Sequence, residues 1–285
     1  MKDQERVLAV VVLYKMTFAE SRSLTSLRRF LSEDEMLAKT IGLMVCDNTP
    51  YKQAPPSDYS GKFYSDVTNP GLAHWYNFAL KNAAESGARW IMLLDQDTEV
   101  TAEYMAEAIA QSGVAEETRE IVALVPKLIQ NGVVCSPLTP PTYRHPVPFD
   151  KAFTGIASRR LHVFNSGAIL RVSSLQATGG FPLDFPLDYL DHATFAALQS
   201  RGGKLFVMNS SLEHELSSSN VQRTDAAAVA RHRSTLLAER KFYQHNGSAR
   251  DRIYRRLRLM RGAMGVLLRH GAVAWSFRMM KAALR

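Results

Sequence analysis

The stretch "WIMLLDQDTEV", residues 90–100, runs from five mostly apolar residues into two aspartates, Asp95 and Asp97, separated by Gln96. A continuous apolar run of this length predicts a strand buried on both faces, as in a parallel sheet. Ligands of such sheets bind beyond the carboxyl ends of the strands, and this end carries two carboxylates. Two earlier runs have the same form. "VLAVVVLY" (7–14) ends at Tyr14, and "IGLMVCDN" (41–48) ends in Asp47 and a turn.

Between these runs the pattern changes period. "ESRSLTSLRRFL" (20–31) predicts an amphipathic helix, residues 61–71 a short strand and a breaker, and 71–86 a second helix. A helix near 101–112 and a strand over 121–125 follow. This βαβαβ alternation with short connections predicts an α/β fold with a mainly parallel sheet. From about 126 to 160 the pattern weakens. "CSPLTPPTYRHPVPFD" (135–150) holds five prolines in sixteen residues and predicts a loop or lid. Regular structure is expected again as a strand over 161–172, a loop entering a helix over 185–202, and a strand in "KLFVMNSSLEHEL" (204–216). A helix over 224–244, a break at "HNGS" and a last basic helix over 251–283 complete the chain. The expected division is an α/β domain over 1–216 and a helical region over 217–285.

The 285 residues are 46% hydrophobic and 22% charged, enough for a sizeable core. Cys46 and Cys135 have no CxxC partner and no histidine cluster nearby, which argues against a disulfide scaffold or a zinc site. The N-terminus has no signal-peptide pattern, and no apolar stretch approaches the ~20 residues of a spanning helix. A cytoplasmic protein is expected. The net charge of +8 lies wholly in the tail: residues 251–285 hold nine Arg/Lys against one acid, Asp251.

Carboxylates at i and i+2 after a strand can converge on one ion. Oxygen ligation by few protein groups suits Mg²⁺ or Mn²⁺, with substrate phosphates completing the shell. Helix capping by Asp97 or Thr98 is the competing explanation. His214, in "LEHEL" after a late strand with Glu213 and Glu215 beside it, would complete a carboxylate–imidazole set. Asp191 opens a helix after a Gly-Gly-Phe-Pro turn. The helix dipole is a strong explanation for a carboxylate there, as it is for Asp188; the alternative is a general base, if the geometry lets it reach an acceptor hydroxyl.

Taken in order, "VVLYK", "VCDNTP", "NPGLAHWYNFAL", "WIMLLDQDTEV", "FNSGAILRV", "GGFPLDFPLDYLDHATFAALQSRGGKLFVM" and "LEHEL" resemble family-2 glycosyltransferases with the GT-A fold. Among these, the chain is most similar to bacterial rhamnosyltransferases of O-antigen and related polysaccharide assembly. The resemblance covers about residues 7–216 and reaches "ERKFYQHN" (239–246). It implies a nucleotide-diphosphate sugar lying across the strand ends, with Tyr14, Gln96, Asn69, Gly71 and Asn77 beside the nucleotide and Asp47 accepting a hydrogen bond from the base imide. It makes Asp95 and Asp97 the DxD-like pair with Asp97 the direct metal contact, His214 the late metal ligand and Asp191 the catalytic base. The chemistry implied is inverting transfer to a hydroxyl of a glycan or lipid-linked acceptor, with dTDP-L-rhamnose the expected donor. A UDP-sugar donor is the alternative, and a non-catalytic nucleotide-sugar scaffold the rival of another class. A nucleotidyltransferase would carry a Gly-rich basic loop near the first strand, and "LYKMTFAE" (13–20) has none. Two departures fall on the acceptor side: Ala193 where many relatives carry a second acid, and His245 where the subgroup has Arg. "SGA" (166–168) and "GGF" (179–181) serve close packing as readily as function.

In the tail, residues 253, 257, 260, 264, 267/268, 275 and 279 are apolar at near-helical spacing with Arg between. A basic amphipathic helix can lie on an anionic membrane, which places the protein on the inner face of the plasma membrane. Packing on the catalytic domain or in an oligomer is the alternative. Charge alone, at one end and without a reader motif, gives no case for nucleic acid.

Overall fold

The structure, a computed structural model, describes residues 6–141, 146–214, 226–270 and 273–284. Glu215, residues 142–145 of the Pro-rich segment and the expected domain boundary at 216/217 lie outside the described residues.

β1 (Val7–Leu13) is the hinge of the sheet. It pairs in parallel with β2 (Ile41–Asp47) on one side and β4 (Trp90–Asp95) on the other, with Leu13 opposite Asp47 and Val12 opposite Asp95. The two acids therefore end neighbouring strands at one level. β3 (Lys62–Ser65) extends the sheet beyond β2. Past β4 come β8 (Ala168–Arg171), β5 (Ile121–Gln130), β9 (Lys204–Glu213) and β7 (Gly155–Ile156), with β6 (Val133–Ser136) paired to β5. β8 runs antiparallel to both neighbours; β5 and β9 are parallel. The fold is α/β with a mostly parallel sheet, nine-stranded among the described residues. The chain leaves β1 first toward β2 and later toward β4, so the crevice above β1 and β4 is a topological switch point, where ligands of such sheets bind.

Period-2 alternation explains the two-sided burial. Leu8 and Val10 face one core with Trp75, Tyr76 and Ala79 of α3 (Leu72–Ser86). Val7, Ala9 and Val11 face the other core with Leu24 and Leu27 of α1 (Arg22–Glu33) and Tyr104 of α4 (Ala102–Glu117). Each such buried aliphatic chain contributes roughly 1.5–3 kcal/mol. Both layers are required, which is why the strands read as unbroken apolar runs.

The structure corrects several expectations. The strand expected over 161–172 shrinks to Ala168–Arg171. Leu161 and Val163 are buried, but in a loop whose backbone is satisfied by the Gln199 amide at Leu161 and by Leu138 at His162. Gly167, at φ 70°, turns the chain, and a Cβ there would meet Leu212 at 2.6 Å. β5 does not stop at 125 but runs through Pro126, where its register with β9 shifts; a bulge tolerates the missing N–H. α2 (Glu35–Thr40) and α5 (Val172–Ala177) are short helices without a sequence expectation. α6 (Leu190–Ser200) and α7 (Ala226–Asn246) fall where helices were expected.

The single helix over 251–283 is instead two, α8 (Ala249–His270) and α9 (Val273–Leu284), packed on one another and on α7. Folding back buries Ala263, Trp275 and Ala283, which one straight helix would leave without a partner. Glu239 of α7 anchors the pair, accepting from Arg258 at 2.7 Å and Arg255 at 3.2 Å, with all three side chains under a tenth exposed. Removing one member of a buried ion network strands the others, at about 3–5 kcal/mol. Glu239→Ala is expected to lower the unfolding free energy by about that amount, read as a lower urea midpoint at unchanged slope. Breaking the half-exposed Arg22–Glu99 pair should cost under ~1 kcal/mol.

Candidate active site

β4 delivers Asp95 at its last residue, and a two-residue turn brings Asp97 round beside it. β9 ends at Glu213, and His214 follows, its N–H held by the Ile129 carbonyl of β5 at 2.9 Å. One ligand atom from each of Asp95, Asp97 and His214 lies within 4.8 Å of the others. His214 Nδ1 is buried without a hydrogen-bond partner among the described residues. Two carboxylates converging with an unsatisfied imidazole nitrogen form a donor set that fits a divalent cation of the Mg²⁺/Mn²⁺ class.

The capping explanation for Asp97 does not hold. α4 is capped by Thr101, whose side chain accepts from the Tyr104 N–H. Thr98 donates or accepts at 2.6 Å with Ser166. Ser166 also interacts with Asp95, opposing the rise of its pKa. It is thus a positioning residue for the acidic pair, and only the quoted "FNSGA" segment hinted at it.

Asp191 lies in the first turn of α6, whose preceding residue Tyr189 adopts a left-handed φ of 64° and offers no side-chain cap. Its Oδ1 accepts from the His192 N–H at 2.7 Å. Burial pushes its pKa up to about 7, opposed by that N–H, with Asp188 raising it further. Burial likewise lifts Asp95 to about 6, with His214 opposing and Asp97 and Asp191 adding to the rise. These mutual effects place Asp95, Asp97, Asp191 and His214 in one electrostatic cluster. Tyr76 of α3 is buried beneath it, raised well above the usual phenol range by burial first and by Asp95 and Asp191 next.

The expected nucleotide side is assembled around β1 and β2. Gln96 grips the Tyr14 backbone, accepting its N–H at 2.7 Å and donating to its carbonyl at 3.3 Å; the clamp locks the β4 turn to the end of β1. Tyr14's side chain is exposed. Asp47 is fully buried, accepting from Thr49 N–H at 3.0 Å and Ser65 Oγ at 3.3 Å. Asn69 has a left-handed φ of 53°. Gly71, φ 97°, leads into α3, whose first amides at Leu72 and Ala73 donate to Pro186 O.

Asn77 is engaged elsewhere. Its amide donates to the Phe181 carbonyl at 2.7 Å, and its Oδ1 accepts the Phe181 N–H at 2.9 Å. A Cβ on Gly180 would stand 2.3 Å from that Oδ1, which is the physical demand behind "GGF". Asn77 thus holds the turn that precedes the Asp191 helix. On the same side, Asp188 accepts from Ser234 and Thr235 and pairs with Arg231, all of α7. Ala193 is buried and His245 exposed.

No protein-family model matches the sequence, and no curated protein sequence matches it. Solved structures do. A structure of S. aureus TarS aligns at a TM-score of 0.52 and 14% identity over 98% of this chain and 54% of that one. The chain thus spans about half the length of that protein. TarS 1–349 in complex with UDP aligns at a TM-score of 0.49 and 13% identity, over 97% of this chain and 89% of that one. The likeness is one of fold, consistent with the GT-A architecture.

Proposed function

We propose that this chain is an inverting glycosyltransferase that moves a sugar from a nucleotide diphosphate to a hydroxyl of a glycan or lipid-linked acceptor. The observation that carries this reading is the convergence of Asp95, Asp97 and His214 at one switch point, with the carboxyl of Asp191 in electrostatic reach of them. In the proposed roles, Asp97 and His214, assisted by Asp95, hold a divalent ion. When bound, that ion acts as a Lewis acid on the leaving diphosphate. Asp191 takes the acceptor's hydroxyl proton. The freed oxygen forms the bond to the anomeric carbon, and the bond to the diphosphate breaks with its electron pair on the leaving oxygen. One base is enough, with no covalent sugar–enzyme intermediate. Tyr14, Asn69 and Gly71 border the proposed nucleotide site, and Asp47 is the acceptor proposed for the base edge. Gln96 and Asn77 act through the backbone they hold.

For the donor we infer dTDP-L-rhamnose, on the sequence resemblance, with a UDP-sugar as the alternative. Incubation of the full chain and Mn²⁺ with dTDP-rhamnose, UDP-glucose and UDP-N-acetylglucosamine, followed by chromatography of the released nucleotide, tests this. Release from dTDP-rhamnose, abolished by EDTA, is expected. Water stands in for the missing acceptor in this assay, so release from a UDP-sugar alone would reassign the donor, and release from none together with no metal-dependent nucleotide binding would reject the transferase reading. A lipid-linked acceptor would bring the protein to a membrane surface.

A further inference from the structure

The C-terminal hairpin has two faces of different character. Its inner face is complete: Arg255 and Arg258 meet Glu239, Trp275 stacks on His232 at 3.8 Å, and Gly262 leaves room for Met279. Its outer face is apolar without serving the core. On α8, Leu257, Met264 and Leu268 recur at helical spacing and are 48%, 62% and 78% exposed. On α9, Val273, Phe277 and Leu284 do the same at 66%, 65% and 72%. This differs from the stripe expected of one long helix, because the fold-back turns Trp275 inward and Phe277 outward. Large exposed apolar faces on otherwise well-packed domains mark interaction surfaces.

Charge decides what fits this face. Arg252, Arg256, Arg261 and Lys281 are exposed on the same two helices. The tail's one acid, Asp251, is occupied in capping Ser248. A second copy docked here would bring cations against cations. An anionic headgroup layer over hydrocarbon complements both features at once. No helix among the described residues is long and apolar enough to cross a membrane, so contact would be along the surface. α8, with 22 residues, offers a footprint of about 33 Å.

We propose that the outer face of the α8–α9 hairpin docks on an anionic lipid bilayer, with Leu268 and Phe277 entering the headgroup–acyl boundary and the arginines contacting anionic headgroups. α7 links this face to the candidate site: Glu239 holds α8, while Arg231, Ser234 and Thr235 hold Asp188, three residues before Asp191.

The test is co-sedimentation of the full chain with phosphatidylcholine vesicles, with and without one-third phosphatidylglycerol, at low and high salt. Neither donor nor acceptor is present, so the result stands apart from the proposed transferase activity. Binding is expected only with phosphatidylglycerol, and it should weaken with salt. Each cation is worth roughly fivefold in partitioning, so R256E/R261E, which removes two cations and adds two anions, should lose at least roughly 25-fold. L268D/F277D should lose at least about tenfold. V114D, at an exposed site on α4, should bind as wild type. All three variants sit on the surface, and an unchanged melting temperature certifies folding. A folded wild type that ignores anionic vesicles, or binding indifferent to L268D/F277D, overturns the proposal. So does a dimer in sedimentation velocity that L268D/F277D dissociates, which would give the face to a second copy.

Discussion

Asp191→Asn is expected to lower sugar transfer by about 10²–10⁴, the usual contribution of a positioned general base, while the donor still binds. The amide keeps the shape and accepts the His192 N–H but cannot take a proton. The pH dependence carries the same signature. With its carboxyl raised to about 7 by burial, Asp191 loses its proton only near neutrality in the ion-free protein. A bound dication draws that value down. The wild-type rate should therefore rise with pH along an acid limb centred at or below about 7, and that limb should be absent from the residual rate of the variant. Stability moves the other way. A carboxyl whose folded pKa lies above its unfolded one stabilises the fold fully below the unfolded pKa, near 4, and that contribution is lost as pH rises through about 7. At pH 8 the variant, which has no charge to bury, should melt no lower than wild type. An unchanged rate would remove Asp191 from the base role, and a large melting drop at pH 8 would make it structural.

The second large effect belongs to the ligand set. His214→Ala and Asp97→Asn are each expected to weaken Mn²⁺ binding at least about 100-fold, since even supporting contacts around a metal are worth 10–100-fold. The free Mn²⁺ signal in electron paramagnetic resonance reads this directly, without turnover. Metal-dependent nucleotide binding should disappear with it. Protons compete for the same site: Asp95, lifted to about 6 mainly by burial, must be ionised to assist. Apparent Mn²⁺ affinity should therefore fall below pH 6, by about tenfold per unit. Ser166→Ala should shift affinity less, because Ser166 steadies Asp95 and Thr98 without contacting the ion. Equal Mn²⁺ affinity in wild type, Asp97→Asn and His214→Ala would dissolve the proposed centre.

The sheet was legible where burial is two-sided. β1, β2 and β4 each write a continuous apolar run because both faces meet helices, and their final residues fall at the site. Asp95 and Asp97 follow β4 and His214 follows β9, far apart in sequence, yet the expectation that each set follows an apolar run placed them at the ends of strands of one sheet. Legibility failed where apolar residues are buried without being strand. Leu161 and Val163 are as inaccessible as sheet residues, but the backbone here is satisfied by Gln199 at Leu161 and by Leu138 at His162, long-range facts that hydrophobic period does not encode. Asn77 is a similar case: its partner Phe181 is 104 residues away, so its clamp on the turn before α6 has no local signature. The hairpin in the tail was hidden by its own regularity. The apolar spacing continues nearly in phase across the break, and only the three-dimensional placement of Glu239 and His232 shows which residues turn inward.

The acids ending β4, with His214, are proposed to hold a metal–diphosphate. Thermal unfolding of the full chain with dTDP, UDP, GDP or ADP, each with and without Mn²⁺, tests it most directly. A ligand present at 100 times its dissociation constant stabilises the fold by about 2.7 kcal/mol, a melting rise of roughly 5 °C or more at this chain length. That rise is expected with dTDP or UDP when Mn²⁺ is present, is lost with EDTA, and is absent in Asp97→Asn. A folded protein that melts at the same temperature with every nucleotide, with and without metal, would contradict it.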